Sequence, residues 1–497
     1  VLGALTIFQY HQNVRPSMQS QILIAFFSYL LIILAIGLFS HSKQTTSADF
    51  VMGNRSLNFW LTALTAHASD MSAWLFMAFP AALFIKGLPG LWIALGLIGG
   101  MYLNWQFIAE KLRVETERYN SYTLSTYFER RFFDSTGVIR ILTALMSVLF
   151  LTTYLAAGLY GMGLLFGSLF GINQYVGLPI AIFVVMAYTF FGGFVTVAWT
   201  DFFQGIYLLI VLIATAIYAF FSLPSSEFIS QVAQEKGISL SLIPDLTFTS
   251  TLTLIFLILE WGLGYYGQPH IVTKFMGIKT PSEIRKAKFL GMSWQIISLG
   301  AAAAIGILGI GLFPNGLQNP ELVFVEIVKL LFHPLFVGFI LCGVIAANMS
   351  TMDSQILVCA SVLSEDLYKC FFKRNASPKE LLVASRASVI LVSLTSLLIA
   401  FYSSSSILEM VLYAWSGLGC SFGPLVIASL YFKKANRQGA IAGIITGGTL
   451  AATWPFINFY IIDYTIPAMI PGFFLGLLSI YLVSYITNGF KNKTAQN

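Results

Sequence analysis

From residue 20 onward the chain alternates apolar runs of bilayer-crossing length with short polar connections. That alternation restricts it to a bundle of membrane helices, because only helices and closed barrels satisfy their own backbone in lipid. The runs fall at about 20–39, 57–85, 91–109, 138–168, 175–198, 202–222, 250–269, 289–313, 333–361, 381–402, 406–431, 438–459 and 464–486, thirteen in all. With 57% hydrophobic and only 10% charged residues, there is too little charge to cover a soluble surface of this size. An odd number of spans puts the termini on opposite sides, and Lys and Arg choose the sides. With the amino terminus outside, the inner segments 40–56, 110–140, 199–201, 270–288, 362–386, 432–437 and 487–497 hold 23 of the 27 basic residues. Arg15, Lys86, Lys236 and Lys329 are the remainder. The expected product is a multi-pass protein of the plasma (inner) membrane with a cytoplasmic carboxyl terminus.

The formal charge of +6 is spread over short loops, so the bilayer is the expected partner and nucleic acid is not. Cys342, Cys359, Cys370 and Cys420 show neither metal spacing nor a disulfide framework. The apolar run Val1–Phe8 lacks a basic leader and a small-residue cleavage site, so no cleaved signal peptide is expected. The mixed-charge stretch Glu110–Asp134 is expected to lie along the inner surface, and 223–248 to be a solvated outer loop with one short helix.

Two runs do not read as regular helix. The first holds Ala66-His67-Ala68-Ser69-Asp70-Met71-Ser72-Ala73-Trp74. Ser and Asp compete for the backbone, and a carboxylate at mid-membrane depth costs at least a few kcal/mol unless paired or facing a polar cavity. Breaking the helix there frees the carbonyls of Ala68 and Met71 to line a pocket for a hard monovalent cation. The second holds Trp261-Gly262-Leu263-Gly264-Tyr265-Tyr266-Gly267-Gln268-Pro269, whose three glycines and proline should interrupt a helix. The broken runs are the second and seventh spans. Two five-helix units that each begin with a broken helix must be inverted relative to one another.

The ninth span carries Ala346-Ala347-Asn348-Met349-Ser350-Thr351-Met352-Asp353-Ser354-Gln355. Ser350, Thr351 and Ser354 share one helical turn. Their hydroxyls, with the Ala347 carbonyl, complement the carbonyls of Ala68 and Met71. A mostly neutral oxygen set suits Na⁺, whereas divalent ions favour several carboxylates. At the turn before the sixth span, Thr200 or Asp201 is expected to cap the helix. Asp201 could also face Asp353 and Ser354 as a second cation site.

At these stretches the sequence resembles the sodium:solute symporter family, closest to its sodium/proline branch, over roughly 20–486. The resemblance rests on Ala-Ser-Asp-Met-Ser at 68–72, Trp-Thr-Asp-Phe-Phe-Gln at 199–204, Trp-Gly-Leu-Gly-Tyr-Tyr-Gly-Gln-Pro-His at 261–270 and Met-Ser-Thr at 349–351. Ser-Glu-Asp-Leu-Tyr-Lys at 364–369 and Arg-Val-Glu-Thr-Glu at 113–117 add to it. It implies an all-α LeuT-type fold of 5+5 inverted helices, one helix ahead of the repeats and two behind. The implied divisions are 1–56, repeat one over 57–222, the loop 223–248, repeat two over 249–431, and 432–497. It implies sodium as the co-transported ion, held by Ala68, Met71, Ala347, Ser350 and Thr351, with Asp70 important for sodium dependence. It implies a proline pocket of Ser72, Tyr154, Trp261, Tyr265 and Pro269, with Arg55 at an inner gate. Glu260 and Asp353 stay unassigned in that pattern, and either could hold a second cation or a proton.

The residues agree with a proline-like solute. Trp261 and Tyr265 are four apart and can enclose the ring or present a π face to the ammonium. Half-helix ends and freed amides near Ser72 suit the carboxylate. His67 and His270 read as packing or turn residues. The alternatives are a family member carrying pantothenate or another amino acid, a channel, and a solute sensor. A channel would need a continuous polar stripe, and a sensor an attached signalling domain. An intramembrane hydrolase using His67, Asp70 and Ser72 would put every catalytic group on one short segment, so an enzyme is not expected.

Overall fold

A computed structural model describes residues 15–40, 47–191, 193–245, 247–373, 375–403, 405–461 and 465–494. The Val1–Phe8 run lies outside the described residues. Helix α1 (Arg15–Phe39) precedes the first broken span, α2 (Phe59–Met71) and α3 (Ala78–Lys86), whose axes meet at 70°. Next come α4 (Leu91–Leu103), α5 (Leu124–Arg131), α6 (Val138–Phe170), α7 (Gln174–Phe191), α8 (Phe194–Ser222) and the loop helix α9 (Ser226–Glu235). The second broken span is α10 (Phe248–Gly264) with α11 (Pro269–Met276). Then follow α12 (Ile284–Leu312), α13 (Val323–Leu331), α14 (Pro334–Ser361), α15 (Pro378–Tyr402), α16 (Ile407–Tyr431), α17 (Arg437–Ile461) and α18 (Met469–Thr494). The element order repeats: a broken span, a long helix, a short helix and three more spans.

Among the described residues, eleven helices are long and apolar enough to cross a membrane, or twelve with the bent pair as one span. The remaining expected run, α7, keeps only a shorter apolar part, Tyr175–Met186. Against the thirteen expected spans, eleven or twelve thus meet the length criterion among the described residues.

Three local expectations need correction. Residues 110–118 do not lie along the surface. They prolong α4 through a π-helical turn at Asn104–Ala109, with Arg113 and Thr116 buried. Thr200 and Asp201 do not cap α8, which begins at Phe194, so both lie buried inside the helix. The glycines of 261–269 do not all break the chain either. Gly262 and Gly264 are helical, and the interruption comes at Tyr265–Gln268. Gln268 is extended (φ −85°, ψ 102°) because a residue ahead of proline is driven from the helical region.

The helical glycines instead bring backbones together. A Cβ on Gly100 would stand 2.2 Å from the Gly262 carbonyl oxygen, and one on Gly264 would stand 2.0 Å from Trp415 Nε1. Such close approach is what small residues contribute to membrane helix packing. Gly100→Val should therefore force α4 and α10 apart at a cost of about 1–3 kcal/mol. The expected outcome is a lower thermal midpoint in detergent by fluorescence-detected gel filtration; an unchanged midpoint would refute the packing role.

Candidate functional site

Helix α2 starts cleanly, with Asn58 Oδ1 accepting from Leu61 N at 2.9 Å. It stops at Ser72, a non-glycine residue held at φ 46°, ψ −166°. The stop works by diverting three amides. In an unbroken helix the N–H groups of Ser72, Ala73 and Trp74 would bond the carbonyls four residues back. Here Ser72 N donates to Thr351 Oγ1 at 2.8 Å, Ala73 N to Asn348 Oδ1 at 2.8 Å, and Trp74 N to Ser72 Oγ at 3.2 Å. The diversion leaves the carbonyls of Ala68, Ser69 and Asp70 without their helical donors.

Helix α14 meets those carbonyls with hydroxyls. Ser350 Oγ lies 2.9 Å from the Ala68 oxygen and 3.0 Å from that of Ala347, and Thr351 Oγ1 donates to Ala347 O at 3.1 Å. Four of the five expected sodium-site residues are therefore tied into one buried network. Met71 stands beside them as the last residue of α2, its sulfur accepting from Gln295 Nε2 at 3.7 Å.

On the other side of the break the aromatic residues converge. Trp74 packs on Trp261 (ring centroids 4.9 Å apart) and on Phe79 (5.0 Å). Trp261 and Tyr265 both pack against Trp415, at 5.9 and 5.8 Å. Tyr154 meets His270 edge-on at 5.7 Å and points its hydroxyl at the Asp70 carbonyl, 3.5 Å away. Ser72, Tyr154, Trp261, Tyr265 and Pro269 are all buried. The Asp70 carboxyl turns toward the Tyr265 hydroxyl. Trp74 Nε1, Asn348 Nδ2 and both ring nitrogens of His270 are buried without a hydrogen-bond partner. So many orphaned polar atoms around one break mark a place built to receive a polar ligand. His67 stacks on Trp105 at 5.9 Å and its Nδ1 meets Gln295 Oε1 at 3.2 Å, while its Nε2 is buried without a partner.

The group Asp201, Asp353 and Ser354 departs from expectation. All three are buried, but the ammonium of Lys274 reaches in from α11, 3.3 Å from Asp201 Oδ2 and 2.9 Å from Ser354 Oγ. The positive charge between Asp201 and Ser354 is thus a side chain of the protein. Sequence reasoning assigned Lys274 to an inner loop, and gave no role to Asn348, Trp74 or Trp415. A single lysine within the apolar stretch Ile271–Met276 was the available signal. A narrow cavity of about 20 Å³ opens beside it, lined by Tyr122, Thr123, Pro269, His270, Lys274 and Ser354 among others.

Arg55 ties together segments close to that cavity. It donates to Met276 O at 2.8 Å, Ser121 O at 2.9 Å and Thr116 O at 3.1 Å. Burial, followed by the nearby Arg113 charge, pulls its pKa down to about 10, so it stays charged at neutral pH. A parallel bridge between Leu57 and Ile278 runs alongside.

The sodium:solute symporter family model matches residues 50–447. The chain belongs to that family. The high-affinity proline transporter PutP of Bacillus subtilis is 41% identical over 458 residues, 91% of this chain and 96% of that protein. A sodium/proline symporter of Staphylococcus aureus is 38% identical over 96% of this chain and 94% of its own length. A sodium-coupled sialic acid symporter, solved in a substrate-bound outward-open state, superposes with a TM-score of 0.80 at 18% identity, covering 94% of this chain and 98% of that one. At that identity the likeness speaks for the fold, which is the LeuT type. This symporter is a multi-pass membrane transporter and not an enzyme.

Arg55→Lys removes the planar fork that reaches several carbonyls at once. The expected result is faster labelling of a Thr273→Cys reporter on the cavity wall by a membrane-impermeant maleimide in open membranes. Equal labelling rates in both backgrounds would show that Arg55 closes nothing.

Proposed function

We propose that this symporter couples Na⁺ entry to uptake of L-proline by alternating access in the plasma membrane, with the amino terminus outside and the carboxyl terminus cytoplasmic. The observation that carries the reading is the diversion of three amides at residues 72–74, two of them onto α14, which leaves carbonyls and hydroxyls facing one another. Na⁺ is held by the carbonyls of Ala68, Met71 and Ala347 and the hydroxyls of Ser350 and Thr351. Asp70, next to Met71, couples ion and solute, since its carbonyl lies near Tyr154 and its carboxyl faces Tyr265. Ser72, Tyr154, Trp261, Tyr265 and Pro269 bind the solute, the indole and phenol enclosing the pyrrolidine ring. The names carried by the relatives, high-affinity proline transporter and sodium/proline symporter, favour proline over other small solutes.

In this reading thirteen spans divide as one leading helix within 1–56, repeats over 57–222 and 249–431 joined by the loop 223–248, and two closing helices within 432–497. Na⁺ bridges α2 to α14 and so pre-forms the solute pocket. Coupling between the two ligands is reciprocal. Arg55 is the inner gate, and the cavity beside Lys274 is the exit. One charge crossing 100 mV contributes about 2.3 kcal/mol, and a tenfold Na⁺ gradient about 1.4 kcal/mol more. One ion therefore supports accumulation of roughly several hundredfold.

Uptake of radiolabelled proline into proteoliposomes, with and without an inward Na⁺ gradient, tests ion and solute together. Thr351→Ala and Ser350→Ala should each raise the Na⁺ concentration for half-maximal uptake about tenfold or more, as expected for losing a contact to a charged group. Unchanged Na⁺ dependence in both would remove the site as drawn. Trp261→Ala should weaken proline binding while leaving Na⁺ binding nearly intact, measured by equilibrium binding of each; equal losses would contradict the assignment.

A further inference from the structure

We infer that the Lys274 ammonium is a tethered cation filling a second monovalent-cation site, and that it thereby fixes the coupling at one Na⁺ per solute. The inference rests on the sodium-coupled reading above and adds the ion count to it.

The geometry is that of an ion site with a side chain in the ion's position. Asp201 Oδ2 lies 3.3 Å from Nζ and Ser354 Oγ lies 2.9 Å from it. Ser69 Oγ links the two acceptors, 3.1 Å from Asp201 Oδ2 and 3.0 Å from Ser354 Oγ. Thr65 closes the ring by donating its hydroxyl to the same carboxylate oxygen. All five residues are buried, and Asp201 Oδ1 has no hydrogen-bond partner. A carboxylate with three hydroxyls is the hard-oxygen chemistry that alkali cations select.

Its position ties it to the first site. Ser69 follows Ala68 on α2, and Ser354 lies one turn beyond Ser350 on α14, so the clusters are stacked about 5.4 Å apart along the same helix pair. Lysine enters from α11, the half of the second broken span that also borders the cavity. A second ion reaching this cluster would have to displace a covalently attached charge that is already paired. The free ion joins α2 to α14 at one level, and at the next the lysine joins Asp201 of α8 to Ser354 of α14, both of which also bond Ser69 of α2. Only the first bridge can be released with the gradient.

Replacing the ammonium by the neutral amide of a glutamine, one atom shorter, leaves a net negative oxygen cluster open to the cavity. Equilibrium binding of ²²Na⁺ to purified full-length protein in nanodiscs should give one ion per chain for the unaltered protein and a Hill coefficient of one. Lys274→Gln should bind two ions with a slope approaching two. Lys274→Gln combined with Asp201→Asn should return to one, and Lys274→Arg should remain at one. The inference is overturned if Lys274→Gln stays at one ion. It is also overturned if the unaltered protein binds two ions and Asp201→Asn reduces that to one, a comparison that holds even if Lys274→Gln does not fold. Unaltered protein that binds no Na⁺ overturns the coupling reading itself, a result distinct from a wrong ion count.

Discussion

Three backbone amides organise the centre of this molecule. Ser72, Ala73 and Trp74 give their N–H groups to Thr351, Asn348 and Ser72 Oγ in place of the preceding turn. Each diverted donor leaves a carbonyl of α2 without its helical bond. Inside a membrane such a carbonyl is costly unless something polar meets it. Ser350 meets one, and the Tyr154 hydroxyl points at another. The break therefore requires α14 to be rich in hydroxyl and amide groups, and it requires close neighbours. The glycine contacts bring the second broken span in against α4 and against Trp415 of α16.

Much of this was legible in the sequence. A carboxylate flanked by serines inside an apolar run has few physical solutions, and the hydroxyl-rich turn of the ninth span has the complementary chemistry. The spans were legible because length and hydropathy set them. What sequence reasoning misread were residues with two physical uses. Glycine breaks helices and also lets them touch; at 262 and 264 the second use prevails, and Gln268–Pro269 supplies the break. Asp201 beside a threonine near a turn looks like a cap, yet α8 begins a full two turns earlier. Glu110–Arg118 looks like a surface helix, yet it continues a span.

Lys274 was hidden for a different reason. Counting basic residues is a rule for orienting spans, and the count groups every lysine of residues 270–288 as solvated. Lys279 and Lys286, beyond the turn that ends α11, are exposed and fit that description. Lys274 lies before the turn, and its side chain points into the core toward Asp201 and Ser354. Tertiary packing decides that direction, and no pattern of period 3.6 records which buried carboxylate will be opposite.

The central claim is that one ion joins α2 to α14 across the diverted amides. Hydrogen–deuterium exchange of the purified protein, read by mass spectrometry in Na⁺ and then in an equal concentration of K⁺, addresses it most directly. Peptides covering 68–74 and 347–354 should exchange more slowly in Na⁺, while the α17 and α18 helices should not respond. Identical exchange of those two peptides in both salts would contradict the claim.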